Sequence, residues 1–302
     1  MPALYVLATV WLWSLIPLAV KVAYQSFSFA FIAFSRLSVG ACVFAGMELR
    51  AGRGLRFPPR RGEERLRGPA WMGLREWILV AGLGIAGDLL LYTLGLRYTT
   101  ASAATLIVST DGIILALLGV VVLRERSSRF KMGAGVTALT GLVLVGWNGQ
   151  DWGTLLGSEY FVGNAVVLCA AFCWATYALA QRVLAARPGA GLFTIFLAGA
   201  AVAGLAALTE RPVHAPLTWQ ALGGLAYLGL GGTGLAYILL TKGMARMEAA
   251  TAGLLCSTLP LFTMAEAHLL IGERITPYLL GGAALIMAGV GLIMRHQKLY
   301  GG

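Results

Sequence analysis

The sequence predicts an all-α integral membrane protein with ten transmembrane helices in two inverted five-helix repeats. Composition is the first reason, because 58% of the 302 residues are hydrophobic and only 12% are charged. A soluble domain carries about 25% charged residues, so this chain cannot cover a globular surface with solvated groups. The other two reasons are a series of ten apolar segments and a similarity between the two halves of the chain.

The apolar segments are long enough to cross a bilayer as helices, which takes about 20 residues. They lack the period-two alternation of barrel strands, and in lipid only helices or closed barrels satisfy the backbone. The first segment lacks the basic start and cleavage site of a signal peptide, so we interpret it as a helix. The predicted spans are 3–23, 29–48, 76–96, 99–123, 130–147, 161–182, 191–209, 219–240, 249–271 and 275–295.

The distribution of basic residues predicts the orientation. With a cytoplasmic N-terminus, the cytoplasmic connections hold 18 Lys and Arg residues and the opposite connections hold 4. This asymmetry places both termini of a multi-pass protein on the cytoplasmic side of the cytoplasmic (inner) membrane. The Arg-rich loop 50–75 is expected to lie on anionic membrane lipid. The net charge of +10 therefore does not predict a nucleic-acid partner.

No cofactor or metal is expected. The four cysteines lie inside apolar segments, where cysteine behaves as a small hydrophobic residue. The sequence contains neither a CxxC pair nor an HExxH motif, so a zinc site is not supported.

The two halves align when Glu125 is placed on Glu273, an offset of 148 residues. Each half holds five helices, an odd number, so the second copy is expected to insert upside down. We therefore predict a first repeat over 1–147, an external linker over 148–160 and a second, inverted repeat over 161–302. Inverted repeats with a site at their interface are typical of secondary transporters. The further matched pairs are Gly133 with Gly281, Gly141 with Gly289, Trp13 with Trp174, Lys21 with Arg182, and Tyr92 with Tyr237.

A set of short motifs recurs in the order and spacing of a known family. The motifs are Trp13-Ser14 with Lys21, Arg36, Tyr98-Thr99-Thr100-Ala101, Leu123-Arg124-Glu125-Arg126 and Ile271-Gly272-Glu273-Arg274. Together they resemble the drug/metabolite transporter superfamily, in particular its EamA-type ten-helix members. The resemblance implies transport of small organic solutes such as amino acids, metabolites or drugs. The family usually has proline thirteen residues before the glutamate; the second repeat keeps Pro260, whereas the first has Gly112, preceded by Asp111.

Three ionisable residues are predicted to share one layer of the membrane. Arg36, Asp88 and Asp111 each lie 12 or 13 residues from the nearest charge on the cytoplasmic side, which is roughly 18–20 Å of helix. Charges at that depth are costly and indicate function. We expect Arg36 to pair with Asp88 and Asp111 to titrate or bind a cation. The alternative is one structural network of all three.

A fourth ionisable residue, Glu266, lies nearer the outer face, 7 residues before Glu273. It is a candidate for coupling or gating together with His268. A local cap or ion pair is the favoured interpretation, because charges near the interface reach water.

Aromatic and polar residues from the same helices are predicted to line a substrate pathway. Taken singly, each is better explained by packing; as symmetric pairs they suit a cavity for an organic solute. The predicted pathway residues are Trp13, Ser14, Tyr92, Asp111, Trp174, Tyr177 and Tyr237.

Helix interruptions mark the predicted hinges, because a lost backbone hydrogen bond permits bending. These hinges are Pro17, Gly112 and Pro260. The fifth helix also has Gly133, Thr137 and Gly141 on one face. Tight packing within the chain is the favoured interpretation, and a homodimer contact is the alternative.

These observations predict a secondary transporter, most simply an exporter, that works by alternating access and is driven by a proton gradient or by exchange. The chain is therefore not expected to be an enzyme. Its sequence lacks the phosphate-binding loop that would indicate ATP hydrolysis. The alternative is an intramembrane aspartyl protease using Asp88 and Asp111. Its Gly-x-Gly-Asp signature is missing, since residues 85–88 read Ile-Ala-Gly-Asp. A channel is disfavoured because no filter sequence is present.

Overall fold

The computed structural model of the chain describes residues 2–52, 72–124, 129–149, 158–184, 191–210, 216–244, 255–256 and 258–300. Every regular element in these ranges is a helix. Most of the Arg-rich loop, Glu125 with Arg126, and residues 150–157 of the predicted linker lie outside the described residues.

The first half of the chain forms the five predicted spans, two of them interrupted. Its helices are α1 (Pro2–Ser14), α2 (Ile16–Ala23), α3 (Phe29–Arg50), α4 (Leu74–Leu96), α5 (Ala101–Val108), α6 (Asp111–Val122) and α7 (Arg129–Trp147). Helices α1 and α2 together make the first span, and α5 and α6 together make the fourth.

The second half follows the same plan with a different interruption. Its helices are α8 (Glu159–Leu184), α9 (Leu192–Thr209), α10 (Trp219–Ala226), α11 (Ala236–Met244), α12 (Leu259–Ile271) and α13 (Pro277–Tyr300). A π-helix, Tyr227–Leu235, joins α10 to α11 without a break. The predicted start of the ninth span, 249–254, lies outside the described residues.

The described helices have the length and surface of membrane spans. Seven helical stretches among them are long and apolar enough to cross a membrane, and the other three predicted spans are represented by shorter apolar helices. Large apolar side chains face outwards, among them Leu208 at 83% exposure and Val121 at 76%. Lipid solvates such a surface, whereas in water it would aggregate.

The two halves are packed into each other and do not form separate lobes. Helix α4 lies against α8, α3 against α9, α1 against α11, and α7 against α13. Both large buried clusters contain residues of both halves. Any site in the centre of this bundle is therefore built from both halves.

Small residues permit the closest of these helix contacts. A Cβ on Gly84 would lie 2.8 Å from the backbone nitrogen of Tyr177, and a Cβ on Gly141 would lie 2.8 Å from the carbonyl oxygen of Gly282. Gly141 therefore packs against α13 of the same chain, as small residues do at close helix interfaces. Gly133, on the same predicted face, has no atom within 4 Å of such a Cβ.

Proline explains the interruption of the first span. Pro17 follows the break between α1 and α2 and has no N–H, so the carbonyl four residues earlier loses its helical donor. Side chains from other helices bind the carbonyls beside it. Tyr227 donates its hydroxyl to Leu12 O at 2.7 Å, and Thr263 donates to Ser14 O at 3.1 Å. The break is thus held by the second half of the chain.

The fourth and ninth spans are interrupted at equivalent residues. Thr110 has φ −79° and ψ −7° immediately before α6, and Thr258 has φ −78° and ψ −9° immediately before α12. Each hydroxyl donates to the carbonyl three residues earlier, Thr110 to Ile107 at 2.7 Å and Thr258 to Leu255 at 2.6 Å. The 148-residue offset of the sequence therefore relates two breaks of the same geometry.

The residues that follow these breaks differ between the two spans. Asp111 and Gly112 open α6 and keep their backbone N–H groups. Leu259 and Pro260 open α12, where a missing N–H costs no helical bond. The predicted hinge positions thus lie at real interruptions; whether the helices bend there stays a prediction.

Candidate functional site

The central candidate site is a cluster of ionisable side chains between α3, α4 and α6. Arg36 of α3 is buried, with 7% exposure. It interacts electrostatically with Asp88 of α4, and Asp88 interacts in turn with Asp111 at the start of α6. The structure therefore brings the three residues of the predicted layer into one neighbourhood.

Arg36 and Asp88 do not form a direct ion pair. Within the described residues the direct pair is that of Lys21 and Glu273, and the buried Nε of Arg36 has no hydrogen-bond partner. A buried guanidinium normally satisfies its donors, because an unpaired polar group is expensive away from water. The arrangement thus leaves the Nε donor of Arg36 free to bind another group, with the Asp88 carboxyl near it.

An aromatic wall lies on one side of the cluster. The Tyr237 ring makes edge contacts with Trp13, Phe44 and Phe196 at centroid distances of 5.8, 5.7 and 5.6 Å. The side chains of Tyr237 and Tyr177 interact electrostatically. Tyr237 also interacts electrostatically with Arg36, so the wall and the charged cluster belong to one site.

Tyr92 lies on α4, one turn after Asp88. It interacts electrostatically with Arg36 and Asp88. Tyr92 and its repeat partner Tyr237 therefore both border the charged cluster.

The two predicted tryptophans have different surroundings. Trp13 donates its indole N–H to Gly232 O at 3.0 Å, a carbonyl of the π-helix. In that π-helix the hydroxyl of Thr233 donates to Leu228 O at 2.9 Å. Trp174 makes an edge contact with Tyr177 at 6.4 Å. Because π-helical turns are frequent at functional sites, the Trp13 contact is the more informative of the two.

A second polar site joins the two halves at the N-terminus of α5. The Glu273 carboxylate accepts hydrogen bonds from Ala101 N at 2.8 Å, Ser102 N at 3.1 Å and Ser102 Oγ at 2.9 Å. It also forms an ion pair with Lys21 at 3.2 Å. A carboxylate is stabilised there by the free N–H groups and the helix dipole. Glu273 thus fixes the start of α5 against the end of α12.

Sequence reasoning identified Lys21 and Glu273 only as marks of the family resemblance and did not predict their contact. The signal was available, since both residues belong to repeated motifs and have opposite charge. Gly272, which precedes the glutamate, takes a left-handed conformation with φ 68° and ends α12. The equivalent contact of Glu125 lies outside the described residues.

Glu266 is separated from this outer site and bonds the broken first span. Its Oε1 lies 3.0 Å from Ser14 Oγ, and its Oε2 is buried without a partner. His268, two residues along, instead contacts Glu273 O through Nδ1 at 2.9 Å. The two residues therefore have different partners, and a role of either in coupling or gating stays a prediction.

An apolar cavity of about 350 Å³ lies beside the same break. It is lined by Leu15, Leu18, Ala19, Val22, Tyr227, Leu270 and Ile271.

Comparison with known proteins supports a transporter. Residues 1–147 and 161–295 match the EamA-like transporter family. The uncharacterized inner membrane transporter YhbE of Escherichia coli is 27% identical over 317 residues, covering 99% of this chain and 92% of the relative. The probable terminal-alkyne amino-acid exporter of Streptantibioticus cattleyicolor is 25% identical over 281 residues, covering 92% and 88%.

A solved crystal structure has the same fold, with a TM-score of 0.65 and 20% sequence identity over 99% of this chain and 98% of the other. These similarities confirm the predicted family and the all-α membrane fold. They give no support to the alternative of an intramembrane protease built on Asp88 and Asp111.

Proposed function

Because the chain belongs to the EamA-like transporter family, we propose that it is a secondary transporter that carries small organic solutes across the membrane by alternating access. The observation that carries this proposal is the buried Arg36, whose Nε has no partner, beside Asp88 and an aromatic wall. Charged groups inside a membrane are costly and mark solute or ion pathways.

The chemistry of the cluster suits an organic solute with polar ends. Arg36 offers hydrogen-bond donors to an anionic group, and the two aspartates attract a cationic one. Tyr237 and Trp13 present ring surface to an apolar portion of the same molecule. Amino acids, metabolites and drugs all include molecules of this kind.

The interrupted helices support alternating access. Interrupted spans at the interface of two repeats are a recurring feature of secondary transporters. The breaks before Asp111 and Leu259 lie at equivalent positions of the two halves, and the first span breaks before Pro17. We propose that these three breaks are the hinges of the inward-facing and outward-facing states.

We further propose export from the cytoplasm, across a cytoplasmic membrane in which both termini face inwards. The excess of 18 basic residues over 4 supports the orientation, and a relative described as a probable exporter supports the direction. The driving force is a proton gradient or exchange of one solute for another.

Uptake into proteoliposomes tests the proposal. Purified protein is reconstituted, and accumulation of radiolabelled amino acids and of cationic drugs is measured with and without an imposed pH gradient. We expect saturable uptake of at least one solute class, absent from empty liposomes. Arg36→Ala should abolish it, whereas Arg274→Gln, at an exposed position, should not. Equal uptake by Arg36→Ala and the unmodified protein would contradict a central site.

A further inference from the structure

The contact between Glu266 and the break in the first span has a hydrogen-bond pattern that depends on one proton. Ser14 Oγ lies 2.8 Å from Trp11 O and 3.0 Å from Glu266 Oε1. A hydroxyl carries one proton, and a carbonyl oxygen only accepts. When Ser14 donates to Trp11 O, a second proton is needed between Oγ and Oε1.

The neighbouring hydroxyls do not supply that proton. Tyr227, which interacts electrostatically with Glu266, donates to Leu12 O at 2.7 Å. Thr263, one turn before Glu266, donates to Ser14 O at 3.1 Å. The remaining source is the carboxyl of Glu266 itself, which as a neutral acid donates one hydrogen bond.

The electrostatic surroundings agree with a neutral carboxyl. None of the described Lys, Arg or His side chains forms an ion pair with Glu266, since the recorded pair joins Lys21 to Glu273. Helix α12 packs against α1 and α5, and its Ala267 lies in a buried cluster with Leu18 of α2. The titratable side chains of these three helices are those of Tyr5 and Lys21, and Lys21 is paired with Glu273. An ionised Glu266 would leave its buried Oε2 charged and without a donor.

The contact also has a mechanical consequence. Ser14 is the last residue of α1, and the chain resumes as α2 only after Leu15. Helix α12 holds this break by two hydrogen bonds, one from Thr263 and one with Glu266. Only the second involves a group that can lose a proton: Ser14 donates to the ionised carboxylate and accepts from the neutral acid.

We propose that Glu266 is a proton-binding site and that its bound proton allows Ser14 to bond both the last turn of α1 and helix α12. When the proton is lost, the single Ser14 proton has two acceptors, Trp11 O and the Glu266 carboxylate. One of the two bonds is then released, and because the ionised carboxylate is the stronger acceptor, it is the bond to the last turn of α1. The coupling of this release to solute movement rests on the proposed transport function; the binding of the proton does not.

Infrared difference spectroscopy of the protein in lipid tests the site directly. We expect a carboxylic-acid C=O band at neutral pH that is lost in Glu266→Gln and shifted in frequency in Ser14→Ala. Thr263→Val removes the other hydrogen bond to the same turn and should leave the band unchanged. A spectrum in which Glu266→Gln loses only a carboxylate band at neutral pH would overturn the proposal, as would an unshifted band in Ser14→Ala.

Flux measurements on the same variants separate this proposal from the transport function. Glutamine imitates the protonated carboxyl, so Glu266→Gln should keep solute exchange and lose its acceleration by a pH gradient. Wild-type gradient dependence in Glu266→Gln would overturn the coupling. If the carboxylic-acid band of Glu266 is present but neither the unmodified protein nor any variant transports solute, the proton site is supported and the transport function is refuted.

Discussion

At the scale of single residues, this chain places its buried charges where each has a defined neighbour. Glu273 binds a helix N-terminus and Lys21, Glu266 bonds Ser14, and Arg36 lies near Asp88 without direct contact. The first arrangement satisfies all of its acceptors, which suits a structural role. The other two leave polar atoms unpaired, and such atoms are where ligands or protons bind.

Removal of the Glu273 charge is therefore expected to reduce stability. Glu273→Gln keeps the size of the side chain and loses the ion pair and the favourable interaction with the α5 dipole, which is worth about 1–2 kcal/mol in a partly buried position. Thermal unfolding in detergent, followed by intrinsic fluorescence, should show a lower Tm. Arg274→Gln at the exposed neighbouring residue is the control, and an equal loss in both variants would contradict the assignment.

Asp111 remains the predicted coupling residue of the central cluster. Asp111→Asn keeps a polar group at the start of α6 and removes the charge, so we expect normal membrane insertion with loss of the pH dependence of transport. Uptake into proteoliposomes across a range of external pH measures this. Wild-type rate and pH dependence in the variant would leave Asp111 with a packing role only. Asp88→Asn, beside Arg36, is the comparison.

At the scale of helices, the chain combines closely packed helix pairs with interrupted membrane spans. Glycines allow α7 to lie against α13 and α4 against α8, whereas threonine and proline positions interrupt the first, fourth and ninth spans. Rigid pairs joined to interrupted helices are a suitable arrangement for rocking one group of helices against another.

The α7–α13 contact provides a matched pair of glycine substitutions. Gly141→Leu introduces a side chain whose Cβ would lie 2.8 Å from Gly282 O, and overpacking of this kind costs typically 1–3 kcal/mol. Gly133→Leu lies two turns earlier, where an added Cβ has no atom within 4 Å. We expect a lower Tm for the first variant and an unchanged Tm for the second. The reverse order would contradict the packing.

The Gly133 variant also tests the predicted homodimer. If this face of α7 contacts a second copy, Gly133→Leu should shift the mass measured by light scattering of the detergent-solubilised protein from dimer to monomer. A dimer that persists would exclude this face as the contact.

At the scale of the whole molecule, the two halves share a plan but are not equivalent. Equivalent threonines break the fourth and ninth spans, yet the break of the first span has no counterpart in the continuous α8, and the π-helix has none in the continuous α4. The differences between the halves are concentrated in the first span, α12 and the π-helix. Glu266, whose carboxyl can bind a proton, contacts Ser14 in this region.

The predicted orientation is also a property of the whole molecule. Both termini are expected in the cytoplasm, because basic residues near the spans resist translocation. A green fluorescent protein fused after residue 302 should fluoresce in bacteria, and an alkaline phosphatase fused there should be inactive. An active phosphatase would show that residue 302 lies outside the cytoplasm. That result would contradict the predicted topology and the direction of export inferred from it.

The sequence by itself determined the membrane class, the family and the helix positions. Its predicted spans agree with the described helices to within a few residues, except where the start of the ninth lies outside the described ranges. Apolar segments of this length form helices in lipid, because a helix satisfies its backbone hydrogen bonds within the segment. For the same reason Arg36, Asp88 and Asp111 were recognisable as unusual from position alone.

Only the tertiary structure decided which polar groups meet. The sequence favoured an Arg36–Asp88 pair and a local cap or ion pair for Glu266, and it offered no partner for Glu273. The structure shows Arg36 and Asp88 without an ion pair, a contact of Glu266 with Ser14, and Glu273 at the N-terminus of α5. Helix spacing fixes depth in the membrane but not rotation about the helix axis. Contacts across hundreds of residues depend on that rotation, which the packing of both halves sets.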